Sequence, residues 1–244
     1  MAHHYIDETL EPTDFMPGSP LALTGAEARH AASASRVRPG EMVRIGDGRG
    51  LVATARVETV DGACVVLVVE SVAQVPMPSP RLILVQALAK GDRDELAVQA
   101  ATELGVDEVV PWQAVRSISR WSGDKEQKGQ QRWRSIVREA SKQSLRARVP
   151  EVSALADLSA LVERTKVERV LVLEPAASAP LSAVKPDGRD LALVVGPEGG
   201  IAPEELRHLT GAGAEAVAIG QGVLRTSTAG PAAIAVLSVR FGRW

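Results

Sequence analysis

The sequence has a single cysteine, and several other features that would indicate particular protein classes are absent. Cys64 cannot form a disulfide within the chain, which is typical of proteins kept in a reducing cytoplasm. No apolar run approaches the roughly 20 residues that a membrane-spanning helix needs. The N-terminal segment, MAHHYIDETL, lacks the basic and apolar parts of a signal peptide. We therefore expect a cytoplasmic protein with no membrane anchor.

Two common kinds of ligand site are also missing. The four histidines have no cysteine or acidic companions at metal-ligand spacing, so we expect no metal site. The chain contains no Walker A loop and no dinucleotide-binding fingerprint before a helix. The segment GDGRG (46–50) lies between β-prone runs and predicts a hairpin instead. A neutral or zwitterionic ligand therefore suits this chain better than a phosphate.

A proline-rich segment, VPMPSP (75–80), separates a β-rich part from an α/β part. Before it, the β-prone runs EMVRIGDG, LVATARVETV and ACVVLVVESV are separated by turn formers. A helix with Thr24 as N-cap is predicted over 24–35, and the pattern indicates a small barrel or sandwich. After it, apolar strands alternate with helices, which predicts a mostly parallel α/β sheet covered on both faces. The predicted domains are 1–75 and 76–244.

Three strands near the C-terminus end in similar ways. Their apolar runs stop at LEPAAS near Glu174, at GPEGG from Gly196 and at GQGVLRTSTAG from Gly220. The carboxyl ends of parallel strands lie at one edge of a sheet, where α/β proteins bind their ligands. Glycine allows backbone N–H groups to approach a ligand closely. We expect a pocket at this edge that is built mostly from main chain.

These motifs are similar to those of a known family. VVGPEGGIAPEEL and AIGQGVLRTSTA resemble the two C-terminal motifs of the bacterial 16S rRNA uridine-N3 methyltransferases, S-adenosylmethionine-dependent enzymes of the SPOUT superfamily. TELGV and RWRSIVREASKQSLRARVPEV resemble the family's middle region, and RHAASASRVRPGEMVRIGDGRG resembles its PUA-like, RNA-binding β-barrel. The resemblance covers nearly the whole chain. It implies a C-terminal domain with a deep trefoil knot, a homodimer, and a target in the small ribosomal subunit, the uridine conventionally numbered 1498.

The resemblance also implies a cofactor site and two residues for the chemistry. Uridine N3 must lose its proton before it accepts a methyl group, and Arg225 is the candidate cation for stabilising the resulting charge. Alternatively, Arg225 ties the knot together through backbone carbonyl oxygens. Glu198 is either the proton acceptor or a carboxylate that accepts hydrogen bonds from nearby N–H groups, and a water-mediated path is the other route for the proton. The residues implied to enclose S-adenosylmethionine are Leu173, Glu174, Gly196, Pro197, Gly199, Gly200, Ile219, Gly220, Val223, Leu224, Thr226 and Ala229.

One departure from the family pattern leaves other functions open. Ser227 stands where the family's last motif has glutamate, and a serine can cap a helix start there. The change motivates an alternative, a non-catalytic RNA-binding protein that retains the knotted pocket. A third possibility, a small-molecule enzyme using an adenine nucleotide, accounts for the strand-end loops but not for the basic segment or the β-rich N-terminus.

That basic segment is the predicted RNA contact. The chain has a net charge of −2, but residues 111–150 carry +7 and the rest −9. A helix predicted over 130–146 would place four cations, spaced by four, in one stripe that can follow a phosphate backbone. Trp121 either stacks on an extruded base or packs as an ordinary core residue. The predicted RNA-binding residues are Arg116, Arg120, Arg134, Arg138, Lys142 and Arg146.

Overall fold

The structure, a computed structural model, describes residues 3–244, which form two compact units. The first unit takes the chain up to Met77 together with Ser141–Val149, and the second takes Pro78–Ala140 and Pro150–Trp244. The boundary near residue 77 falls in the proline-rich segment. The predicted division into 1–75 and 76–244 did not include the later segment that belongs to the first unit.

The first unit is built on a five-stranded sheet in the order β1-β3-β4-β5-β2. Strand β1 pairs in parallel with β3, and the other neighbours are antiparallel. Alternate residues of the long strands are buried in one apolar core, as the period-two pattern of a half-buried strand requires. The strands are β1 (His4–Ile6), β2 (Pro20–Thr24), β3 (Met42–Gly46), β4 (Leu51–Asp61) and β5 (Cys64–Gln74).

The sequence predicted β3, β4 and β5 but missed β1 and β2, which are short. The helix predicted over 24–35 is present as α1 (Gly25–Arg29), followed by a π-helical segment, His30–Ser35. Thr24 is its N-cap residue by position, but the side chain makes no capping hydrogen bond.

Hydrogen bonds hold Ser141–Val149 in the first unit. The Lys142 ammonium lies 3.1 Å from Glu27 Oε1, and both side chains are largely buried. Arg148 Nε donates to the Val75 carbonyl oxygen at 3.0 Å. The predicted role of Lys142 in an exposed stripe is therefore wrong, because this cation is buried against a carboxylate.

The second unit contains a six-stranded sheet, parallel throughout, in the order β11-β9-β10-β6-β7-β8. Every residue of the central strands β6 and β10 is buried, which explains their almost entirely apolar sequences. The parallel α/β prediction is confirmed. The strands are β6 (Leu82–Ala87), β7 (Glu108–Trp112), β8 (Glu151–Val152), β9 (Arg169–Leu173), β10 (Leu191–Val195) and β11 (Glu215–Val217).

Helices cover both faces of this sheet. Side chains on one face, such as Ile83, share a core with Leu161 and Leu209 of α4 and α5. On the other face, Leu84 lies directly against Gly230 of α6. The helices are α2 (Arg93–Glu103), α3 (Asp124–Gln143), α4 (Leu158–Arg164), α5 (Pro203–Gly211) and α6 (Thr226–Arg240). The trefoil knot stays a prediction.

Helix α3 begins six residues before the predicted start and ends three residues before the predicted end. Its end coincides with a change of backbone conformation, because Leu145 has a φ of 57°, in the left-handed region. Arg146 therefore lies beyond the helix, and its predicted place in the α3 stripe is wrong. None of the helices within residues 3–244 has both the length and the apolar character needed to cross a bilayer.

Candidate active site

A cavity of about 390 Å³ lies at the carboxyl ends of β9, β10 and β11. Both predicted catalytic residues, Glu198 and Arg225, are part of its lining, and so is Arg93, which the sequence analysis missed. Of the twelve residues that the resemblance implied for the cofactor, Gly199 does not line the cavity. The other eleven do: Leu173, Glu174, Gly196, Pro197, Gly200, Ile219, Gly220, Val223, Leu224, Thr226 and Ala229.

The loop after β10 is a tight turn that depends on its glycines. A Cβ atom added at Gly196 would lie 2.8 Å from Ile201 Cγ1 and 3.1 Å from the Ile201 nitrogen. Gly200 has a φ of +71°, and its N–H donates to the Pro197 carbonyl oxygen at 2.9 Å. The turn thus has a fixed shape set by its main chain.

Gly199 packs against the side chain of Arg116 and not against the cavity. The Gly199 carbonyl oxygen accepts a 2.9 Å hydrogen bond from Arg116 Nη1, and an added Cβ would lie 3.4 Å from Arg116 Cβ. This contact ties the loop after β7 to the turn after β10.

Glu198 is held in place by two donors. Its Oε1 accepts hydrogen bonds from the Lys90 N–H at 2.9 Å and from Arg93 Nη1 at 3.1 Å. Although partial burial acts in the opposite direction, these hydrogen bonds and the charge of Arg93 lower the pKa of Glu198. The lowered pKa and the two bound donors make this carboxylate a weak base, which fits the second of its two predicted roles better than that of a proton acceptor.

Arg93 reaches the cavity because of a sharp turn between β6 and α2. Gly91 and Asp92 both have left-handed backbone conformations, with φ values of 66° and 58°. The turn lies at the carboxyl end of a buried parallel strand, the edge where ligands of α/β proteins bind. That position was the signal in the sequence that could have identified Arg93.

The two arginines of the cavity differ in their partners. Arg93 is paired with Glu198, whereas Arg225, the N-cap residue of α6, is exposed. Within residues 3–244, the guanidinium of Arg225 has no hydrogen bond or ion pair. It is therefore available to a ligand in the cavity.

A buried chain of hydrogen bonds joins β6, the turn after β10 and the start of α6. Gln86 Nε2 donates to Thr226 Oγ1 at 2.9 Å, and Thr226 Oγ1 donates to the Gly196 carbonyl oxygen at 2.8 Å. The Gln86 side chain has no solvent exposure. Gln86 was not predicted as part of the site, although a lone glutamine in the apolar run RLILVQAL requires a buried partner.

Ser227 lies in the first turn of α6 and is half-buried. Its side chain makes no hydrogen bond with any residue that the structure describes, so the expected capping interaction is not present.

The predicted RNA-binding residues are only partly brought together. Arg134 and Arg138 lie on α3, and Arg116 and Arg120 lie on the loop after β7. Arg120 Nη2 donates to the Val115 carbonyl oxygen at 2.9 Å. Lys142 and Arg146 do not continue this stripe, because Lys142 is buried against Glu27 and Arg146 lies beyond the end of α3.

Trp121 packs against α3. Its ring meets Trp133 edge-on, with centroids 5.5 Å apart, and it lies so close to Gly129 that a Cβ there would overlap it. Trp121 therefore packs, as one of its two predicted roles requires, and its stacking on a base stays a prediction. Among residues 3–244, no cluster of three or more His, Cys, Asp or Glu side chains could hold a metal ion.

Comparison with known proteins shows two matching families. Residues 76–238 match the RNA methyltransferase domain family, and residues 23–68 match the RNA methyltransferase PUA domain. The chain is 43% identical, over 98% of its length and 92% of the relative's, to the ribosomal RNA small subunit methyltransferase E of Mycobacterium bovis.

Solved structures are similar over nearly the full length. The ribosomal RNA small subunit methyltransferase E of Neisseria gonorrhoeae, bound to S-adenosyl methionine, has a TM-score of 0.88 and 28% identity, with 99% of this chain and 98% of that chain covered. A methyltransferase structure from Legionella pneumophila, in complex with the cofactor SAM, has a TM-score of 0.85 and 31% identity, with 98% of both chains covered.

Proposed function

Because this chain belongs to the ribosomal RNA small subunit methyltransferase E family, we propose that it methylates N3 of uridine 1498 in 16S ribosomal RNA. The chain is an S-adenosylmethionine-dependent RNA methyltransferase. The observation that supports the finer assignment is the clustering, around one cavity, of two motifs that resemble those of the uridine-N3 family.

The cavity suits the cofactor in size and in lining. Ligand pockets in proteins typically have volumes of about 300–1,000 Å³ and apolar walls with a few polar groups. An added Cβ at Gly220 or Gly222 would meet no protein atom within 4 Å, so this part of the lining is open to a ligand. We assign cofactor binding to the eleven residues described above. Bound S-adenosylmethionine supplies an electrophilic methyl group on a sulfonium.

The protein's own contribution is charge and position. Uracil carries negative charge once N3 is deprotonated, and cations near its carbonyl oxygens stabilise that charge. Arg225 is the catalytic cation in this proposal because its guanidinium is available to the ligand. Arg93 is the second cation, and Glu198 positions it through their ion pair. In this proposal the N3 proton leaves to solvent before the methyl group is transferred.

Three further assignments rest on the same proposal. The first unit and the cations Arg116, Arg120, Arg134 and Arg138 contact RNA of the small ribosomal subunit. Helix α6 forms a homodimer interface, which is consistent with the 62% exposure of Val239. The substrate places the chain in the cytoplasm, where ribosomes are assembled.

Transfer of tritiated methyl groups tests the function. Small ribosomal subunits from cells lacking this protein should accept label from S-adenosylmethionine, and mass spectrometry should locate it as one N3-methyluridine. Label at another atom or nucleotide would contradict the proposed specificity. Binding of subunits without transfer would favour a non-catalytic RNA-binding protein.

A further inference from the structure

The second unit contains another cavity, of about 470 Å³, beside the turn between β6 and α2. Its walls come from that turn, from the loop after β7 and from the first half of α3. The turn is shared between the two cavities, because Ala89–Asp92 line this one and Arg93 lines the other. An occupant of the second cavity would therefore lie next to the candidate active site.

An aromatic and apolar wall forms one side of this second cavity. Trp121 is half-buried, and its ring is held by Gly129 and Trp133. Ile118, at the rim, is 69% exposed. A fixed aromatic ring beside an exposed aliphatic side chain is a surface on which a nucleobase can stack, whatever its sequence.

The rim also carries two lysines whose charges are unused. Lys90 and Lys128 are exposed, and within residues 3–244 neither ammonium has a hydrogen bond or an ion pair. By contrast, Arg132 forms an ion pair with Glu95, with 2.9 Å between Arg132 Nη2 and Glu95 Oε2.

Of the other lining carboxylates, Asp94 is buried and accepts the N–H groups of Ala89 and Glu95. Asp92 lies near the charge of Arg132. Two lysines thus remain available to an anion.

We propose that the second cavity binds the nucleotide next to the target uridine, with its base against Trp121 and Ile118 and its phosphate at Lys90 and Lys128. The inference rests on the proposed function, because it requires a single-stranded RNA substrate. A base and a phosphate together explain why one cavity combines an aromatic wall with unpaired cations. The second cavity would hold the chain of the RNA on one side while the target base enters the first.

Matched lysine variants test the phosphate contact. Lys125 and Lys128 both lie in the first two turns of α3, but only Lys128 lines the second cavity. Binding of labelled, unmethylated small subunits should weaken severalfold in Lys128→Ala, and the slope of log affinity against log salt should fall by about 0.7. Lys125→Ala should bind like the wild type. Equal affinities and slopes for the two variants would overturn the phosphate contact.

A second matched pair tests the base contact. Ile118 and Val115 are both exposed on the loop after β7, at 69% and 64%, and only Ile118 lines the second cavity. Ile118→Asp should weaken subunit binding about tenfold more than Val115→Asp, because a carboxylate beside Trp121 would prevent the base from stacking on its ring. The dissociation constant for S-adenosylmethionine and the melting temperature should be the same in both variants. Equal losses of subunit binding would contradict stacking at this cavity.

The binding assay separates this inference from the proposed function. It contains no S-adenosylmethionine and needs no turnover. If the wild type binds subunits but transfers no methyl group, the proposed activity is wrong, and the differences within each variant pair still decide whether the second cavity takes a nucleotide.

Discussion

The two cavities of the second unit lie on either side of one turn, yet they are built from different parts of the chain. The first is lined mainly by the main chain of three strand-end loops, with two arginines. The second is lined by side chains, among them two tryptophans and two lysines. The packed backbone turns of the first cavity determine its shape. The aromatic and cationic side chains of the second determine which groups it can bind. Substitutions that disturb the packed main chain of the first should therefore affect the fold and the cofactor together, and those at the second should affect RNA alone.

Removal of Arg225 should have the largest effect. Arg225→Ala leaves the developing charge on uracil without its available cation, so kcat should fall about 100-fold. Arg225→Lys should recover part of this loss, because it keeps the charge. Single-turnover methyl transfer measures both. An alanine variant with normal kcat would remove Arg225 from the chemistry and leave Arg93 as the only cation of the cavity.

Gly196→Ala tests whether the first cavity depends on its main chain. The new Cβ would overlap Ile201, so we expect the protein to lose about 1–3 kcal/mol of stability, as for other overpacked sites. Affinity for S-adenosylmethionine should fall as well. Gly220→Ala is the matched control, since its Cβ meets no protein atom. It should lower cofactor affinity with an unchanged melting temperature, and equal destabilisation of both variants would contradict this comparison.

Thr226 links the cavity to the buried Gln86. Thr226→Val should destabilise the protein by about 1–3 kcal/mol, because the Gly196 carbonyl oxygen and the Gln86 amide both lose a partner. Thr226→Ser keeps the hydroxyl and should behave nearly as the wild type. Denaturant unfolding and calorimetric titration with S-adenosylmethionine measure the two effects. A valine variant as stable as the wild type, beside a destabilised serine variant, would show that the methyl group matters and the hydrogen bonds do not.

Glu198→Gln should lower kcat less than Arg225→Ala does, and it should change how the stability of the protein depends on pH. Glutamine can still accept the Lys90 N–H but loses the ion pair with Arg93, so kcat should fall only severalfold. A loss as large as that of Arg225→Ala, with an altered pH profile near neutrality, would instead identify Glu198 as the proton acceptor.

The sign of the pH effect on stability follows from the lowered pKa of Glu198. Its ionised form stabilises the fold fully above the ordinary pKa of 4.5, and this contribution is lost as the pH falls through the lower folded value. Denaturant unfolding at pH 7 should therefore show the wild type to be more stable than Glu198→Gln. The difference should shrink below about pH 4.5.

The basic segment shows where prediction from sequence stops. Its charge and its helical spacing were both visible, but Lys142 could take part in a stripe only if no carboxylate lay against it. Glu27, which is 115 positions away in sequence, pairs with it instead. The spacing of charged residues shows which side chains share a face of one helix. It does not show which residues from elsewhere in the chain pack against that face.

The sequence by itself determined the parallel sheet, the strand-end turns and the clustering of their motifs, because apolar runs and glycine-rich turns act through local backbone geometry and strand direction. Only the tertiary structure decided that Glu198 pairs with Arg93 and that Gly199 accommodates Arg116. Those contacts join residues about 80 to 110 positions apart in sequence. Side-chain partners at such separations are set by packing, which no local pattern encodes.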